Sequence, residues 1–264
     1  MEILGYTTST MSWFFIFSVI KRLRSTQGDV NVVDLNIEAP PCAVMCSVAL
    51  EAFSNEISSL SGAFTFSVKK DFKNQYLQNE ELDSELGIRW GVCQDLANIK
   101  EKSNGSFYDK YTELLKKMQF EKPDFLPELC YLRDLRNALV HFRLCDVPII
   151  ESENGHIRYA QEPPEVFTHL KSIQIEKGWS LVTADTDDGS VEWVLRISTN
   201  SMALWSLKLV LDAITYVFDC LPNGRYKNFI LEAYKASDKS FQNIFEKGKS
   251  DVKEIQNYLF SIMQ

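Results

Sequence analysis

In the stretch RDLRNALVHFR, residues 133–143, Arg136, Asn137 and His141 bring a cation, an amide and an imidazole into one short segment. An imidazole changes its charge near neutral pH, whereas a guanidinium keeps its charge and presents a planar fork that matches phosphate oxygens. On a helical wheel of about 100° per residue, Arg136, Val140, Arg133, Asn137 and His141 share one arc of about 140°. Leu132, Leu135, Leu139 and Phe142 gather elsewhere, so the apolar stripe is expected to face a bundle and the polar arc to face outward. Asn137 and His141 are i and i+4, within touching distance, and Arg136 borders them with a long reach. A solvated helix face, with a histidine that caps or pairs with a neighbour, accounts for the same residues. Val140, with Leu126 and Leu129, leaves apolar surface on this arc, which suggests that a second copy of the helix or another element covers it.

The rest of the chain must position that helix. Residues 1–41 read as an N-terminal addition ending at EAPP (38–41), where two prolines are expected to stop any helix. From Cys42, apolar residues at Val44, Val48, Phe53, Ile57 and Leu60 predict a long helix that Gly62 ends. Residues 63–88 read as a loop-rich link with a short strand at FTFSV (64–68). GVCQDLANIKEK (91–102) and FYDKYTELLKKM (107–118) read as amphipathic helices, and EKPDF introduces the motif helix over residues 126–144. After Asp146 the period becomes two, with a turn at ENG (153–155) and a hairpin of WSLVTA (179–184) and VEWVLRIS (191–198) joined by DTDDGS. Thr199, Asn200 and Ser201 offer caps to an apolar helix over 202–221, stopped by Pro222 and Gly224; a charged helical tail follows. No internal repeat appears. The expected fold is mainly α, a helical bundle with one or two small β-hairpins. Its core domain is residues 42–222, and residues 223–264 form a charged helical extension packed on the bundle.

Composition narrows the function. With 264 residues, 45% hydrophobic and 24% charged, the chain reads as one globular domain with additions. A net charge of −8 gives no broad attraction for nucleic acid, so any such contact must be local. The six cysteines are dispersed, as in a reducing compartment, and Cys42 and Cys46, one turn apart, lack partners at zinc spacing. WFFIFSVI (13–20) before KRLR is too short to span a bilayer and reads as an amphiphilic or core-docking segment. No secretory cleavage site is evident, so a cytoplasmic protein is expected.

LRDLRNALVH resembles the R-x4-H signature, with Asn after the Arg, of the HEPN superfamily (higher eukaryotes and prokaryotes nucleotide-binding). Its members are helical bundles and include many metal-independent ribonucleases and toxins. CSVALEAFSNEI (46–57) is similar to the first long helix of many bacterial members, and the resemblance covers roughly residues 42–222. It implies RNA cleavage through attack of a 2′-hydroxyl on the adjacent phosphate, with no metal or other cofactor. It further implies His141 as general acid or base, Arg136 as a phosphate clamp and Asn137 as an orienting hydrogen-bonder. Two motif helices commonly face each other in the family, so a homodimer is implied. Arg133 and Arg143 would then add basic charge to the cleft from both chains, and Glu51 and Asn55 could border it, although a polar helix flank also explains that pair. A toxin or defence effector with a cognate inhibitor fits this reading. The alternatives are a non-catalytic HEPN module that binds a nucleotide or a protein partner, and a membrane-associated accessory protein anchored by residues 3–20. Where toxins silenced by a nucleotidyltransferase carry R-x4-H-x-Y, this chain has Arg143 in place of the modified tyrosine. That puts control by such modification in doubt.

Other constellations fail. GKS (248–250) lacks the first glycine of a P-loop, Asn243 standing in its place. DTDDG (185–189) has its glycine one position early for a calcium loop, with Arg196 where the final Glu belongs. There is no GxSxG or HExxH; His156 and His169 read as turn or hairpin residues, and Trp193 and Trp205 as core.

Overall fold

A computed structural model describes residues 11–26, 36–72, 80–99, 105–141, 149–151, 157–159, 165–179, 181–182 and 193–237. The chain is mainly helical. In order come α1 (Ser12–Thr26), α2 (Ala39–Phe72), α3 (Glu80–Leu86), α4 (Trp90–Ala97), α5 (Phe107–Met118) and α6 (Leu126–Val140). After two short strands follow α7 (Glu165–Lys177), α8 (Trp193–Arg196), α9 (Asn200–Cys220) and α10 (Arg225–Ser237). The strands β1 (Ile149–Glu151) and β2 (Ile157–Tyr159) pair antiparallel, with Ile150 opposite Arg158.

The described residues fall into two compact units. The first is drawn from Met1–Phe15, Val48–Leu126 and Val210–Ser250. Its core is a stripe on α2, where Leu50, Phe53, Ile57, Leu60, Phe64 and Val68 recur at helical spacing and are all buried. Phe53 meets Phe218 edge-on at 5.7 Å and Phe64 meets Tyr226 edge-on at 5.2 Å, the arrangement that ring quadrupoles favour. Buried hydroxyls are satisfied: Tyr111 donates to the Ala213 carbonyl at 2.9 Å, and Tyr226 shares a 2.7 Å hydrogen bond with Ser61. The carboxylate of Glu56 accepts from the Ser12 amide (2.8 Å), the Ser12 hydroxyl (2.7 Å), the Tyr234 hydroxyl (2.8 Å) and the Met11 amide. It thereby caps the first turn of α1 from inside the core.

The second unit is drawn from Ile16–Ser47, Pro127–Leu209 and Asp251–Gln264. Ile16, Val19, Ile20 and Leu23 of α1 are buried there, as are Leu129, Leu132 and Leu135 of α6 and Val166, Phe167, Leu170 and Ile173 of α7. Glu128 accepts from the Trp205 indole at 2.7 Å and from Lys177, tying α6 to α9 and α7. Thr199 caps α9 by accepting from the Met202 amide at 3.0 Å. Trp193 and Trp205 are core residues.

Several local expectations are corrected. Pro40 and Pro41 open α2 rather than stop a helix, because the first turn has no use for the amide hydrogen that proline lacks. The helix therefore starts inside the segment read as an N-terminal addition. Gly62 lies within α2, FTFSV is helical, and α3 occupies part of the expected link. The packing of Phe64 and Val68 on the apolar stripe overrides their local β-propensity. In the expected second hairpin, residues 193–196 form a helical turn and Leu181–Val182 are buried but not in a strand. The motif helix ends at Val140; Arg143, His156 and the ENG and DTDDGS turns lie outside the described residues. Among the described residues, Asn200–Cys220 is long and apolar enough to cross a membrane, and 78% of its apolar window is buried.

Candidate functional site

Helix α6 forms because Leu129, Leu132 and Leu135 make a buried stripe and Glu128 places negative charge in the first turn, where the helix dipole favours it. Arg136 and Asn137 are half-buried on its last turn, and the Arg136 guanidinium donates to the Asn137 side-chain carbonyl at 3.0 Å. His141 is the first residue past the helix and is exposed. Its amide still donates to the Asn137 carbonyl at 3.0 Å, so the helical bonding pattern carries through it. Helical rise thus sets the His141 backbone about 6 Å further along the axis than that of Asn137. The structure joins Arg136 to Asn137 and sets His141 on the residue after the helix, linked to Asn137 through its backbone.

What this arrangement can do follows from donor and acceptor capacity. The Asn137 carbonyl is engaged by Arg136, which leaves the amide nitrogen to donate. Arg136 keeps its charge beside it, and the exposed imidazole is open to proton exchange with a bound molecule.

Other predicted residues stand apart. Arg133 is half-buried and pairs with its neighbour Asp134 at 2.8 Å, so its charge is partly offset. Glu51 and Asn55 belong to the first unit and the motif to the second; Glu51 accepts from Lys110 at 2.7 Å and Asn55 is half-buried. The expected apolar patch is also corrected: Leu126 and Leu129 are 8% and 0% exposed, against 48% for Val140. The early turns of α6 are enclosed where Trp205 and Lys177 hold Glu128, and a wheel projection cannot see such enclosure along the axis.

No family model, curated protein or solved structure is matched by this chain.

Sequence reading missed a second histidine near the motif helix. His169 lies on α7, not in a turn, and stacks on Tyr131 of α6 with ring centroids 4.4 Å apart and planes within 12°. Glu165 is 4.0 Å from its imidazole, one turn back. The spacing of Val166, Phe167, Leu170 and Ile173 was the available signal. Among the described residues, no group of three or more His, Cys, Asp or Glu side chains is placed to hold a metal. Burial pushes the Cys42 thiol up to about 12, and the Cys46 thiol is likewise raised well above its ordinary range, so both stay protonated near neutral pH.

Proposed function

We propose that this chain is a metal-independent endoribonuclease of the HEPN type, a HEPN-like helical bundle acting as a homodimer in the manner of a toxin or defence effector. The observation that carries the reading is the Arg136–Asn137 couple on the last turn of α6, with His141 exposed one turn beyond it. In this reaction an imidazole takes the proton of an RNA 2′-hydroxyl and the oxygen attacks the adjacent phosphorus. The leaving 5′-oxygen collects a proton from a second imidazole, supplied by the other copy of the motif helix. Arg136 holds the phosphate oxygens as negative charge builds on them, and the Asn137 amide orients the same group. Exposed Val140 supplies apolar contact between the two helices.

The test is incubation of the purified full chain with total RNA in EDTA, beside His141→Ala and Arg136→Ala variants. Cleavage by the wild type that falls at least about 100-fold in both variants supports the reading. Equal activity in all three rejects it. The net charge of −8 favours a second reading, a non-catalytic HEPN module that binds a nucleotide or a protein partner. On that reading none of the three proteins cleaves, and loss of the motif weakens binding instead.

A further inference from the structure

Three inter-helix turns of the first unit line one cavity of about 420 Å³: Gly87–Arg89 between α3 and α4, Gln119–Phe120 after α5, and Leu221–Pro222 after α9. Its walls are largely apolar, with Val92, Met118, Phe120 and Leu221 among them, and Cys220, which is in no disulfide, lines the same space. That volume and that lining are typical of small-molecule sites, which span roughly 300–1,000 Å³. The rim is held by backbone contact. Gly87 has φ of +71°, and a Cβ there would lie 2.6 Å from the Asn223 carbonyl, while one on Gly224 would lie 2.6 Å from the Gly87 Cα. Only glycine lets the two turns approach so closely.

The polar groups of this lining are asymmetric. Asp83 accepts from the Trp90 amide at 2.9 Å, so its carboxylate caps α4. Arg89 is exposed, and among the described residues its guanidinium donates to the neutral amide of Gln119 and forms no ion pair. Gln119 is set beside it by the left-handed cap of α5, where φ is 61° and the Phe120 amide donates to the Leu115 carbonyl at 3.0 Å. A second, more polar hollow of about 540 Å³ shares Asp83, Arg89, Val92 and Gln119 with the first. The guanidinium therefore stands where an apolar chamber opens toward water.

We propose that this cavity binds a small apolar monocarboxylate, its head group on Arg89 and Gln119 and its body against Val92, Met118 and Phe120, with Cys220 beside it. A cation would meet the charge of the exposed Arg89 guanidinium at the mouth. A phosphate without an apolar body would leave the chamber unfilled, and a neutral hydrocarbon would make no use of the guanidinium.

The experiment follows alkylation of Cys220 by N-ethylmaleimide in the full chain, with Cys130 as the reference thiol, and measures decanoate binding by calorimetry. Decanoate is expected to slow alkylation of Cys220 at least fivefold and to leave Cys130 unchanged. Arg89→Ala should weaken decanoate binding about tenfold, the loss of one charge-assisted contact, while decanol binds both proteins alike. Val92→Trp, which fills the chamber, should abolish both ligands. Absence of calorimetric binding, unchanged Cys220 reactivity with decanoate saturating, or equal decanoate affinity in wild type and Arg89→Ala would each overturn the proposal.

Discussion

Arg136 and Asn137 act as a couple because the amide presents its carbonyl to the guanidinium and keeps its nitrogen for other use. Asn137→Asp preserves the shape and the acceptor but replaces the two donors with a charge that neutralises Arg136. The expected result is a fall in RNA cleavage of about 100-fold or more with the thermal midpoint little changed, because the position is only half-buried. Wild-type turnover in that variant would show that the couple is not part of the chemistry. The helical register of Asn137 and His141 was legible in the sequence from their four-residue spacing, whereas the bond between the adjacent Arg136 and Asn137 was not. The pairing of Arg133 with Asp134 and the burial of Leu126 and Leu129 were not, because they depend on rotamers and on neighbours from other helices.

At the scale of elements, α2 and its carboxylate matter most. Glu56 is 6% exposed and receives four hydrogen bonds, two from the Met11 and Ser12 amides at the start of α1 and one each from the Ser12 and Tyr234 hydroxyls. Glu56→Ala leaves these donors without an acceptor and is expected to destabilise the chain by about 3 kcal/mol, read from denaturant midpoints. Glu56→Gln, which keeps one acceptor oxygen, should be milder; equal stability of wild type and Glu56→Ala would contradict the role. The composition of α2 hid its length. FTFSV is rich in strand-forming residues, and only the continuation of the Ile57–Leu60 stripe through Phe64 and Val68 marks it as helix. Pro40 and Pro41 misled in the opposite sense, as the same missing amide hydrogen that breaks a helix interior suits a first turn. By contrast FYDKYTELLKKM was legible residue for residue from its amphipathic spacing, and the structure adds a capping box of Ser106 and Asp109 at its start.

For the whole molecule, buried ionisable groups set the response to alkali. Burial raises the thiols of Cys42 and Cys93 from 9.0 to about 12, and the Tyr111, Tyr226 and Tyr234 hydroxyls are raised by the same cause. The folded chain holds these protons more tightly than the unfolded chain, so the stabilisation is complete below pH 9 and is lost as pH climbs toward 12. Each thiol should remove about 1.4 kcal/mol per pH unit within that window. Urea midpoints are expected to stay level between pH 7 and 8.5 and to fall by pH 10.5, less steeply in Cys42→Ser/Cys93→Ser; a flat or rising profile would refute the assignment. On the proposed reading, the net charge of −8 confines any RNA contact to a local site, for which the α6 arc is the candidate. The most direct test compares an RNA oligonucleotide with its fully 2′-O-methylated counterpart, each incubated in EDTA with wild type and His141→Ala. The account predicts that only the unmodified strand is cut, only by the wild type, and that the new ends carry a cyclic phosphate. Cleavage of the methylated strand, or of either strand by His141→Ala at the wild-type rate, would contradict it.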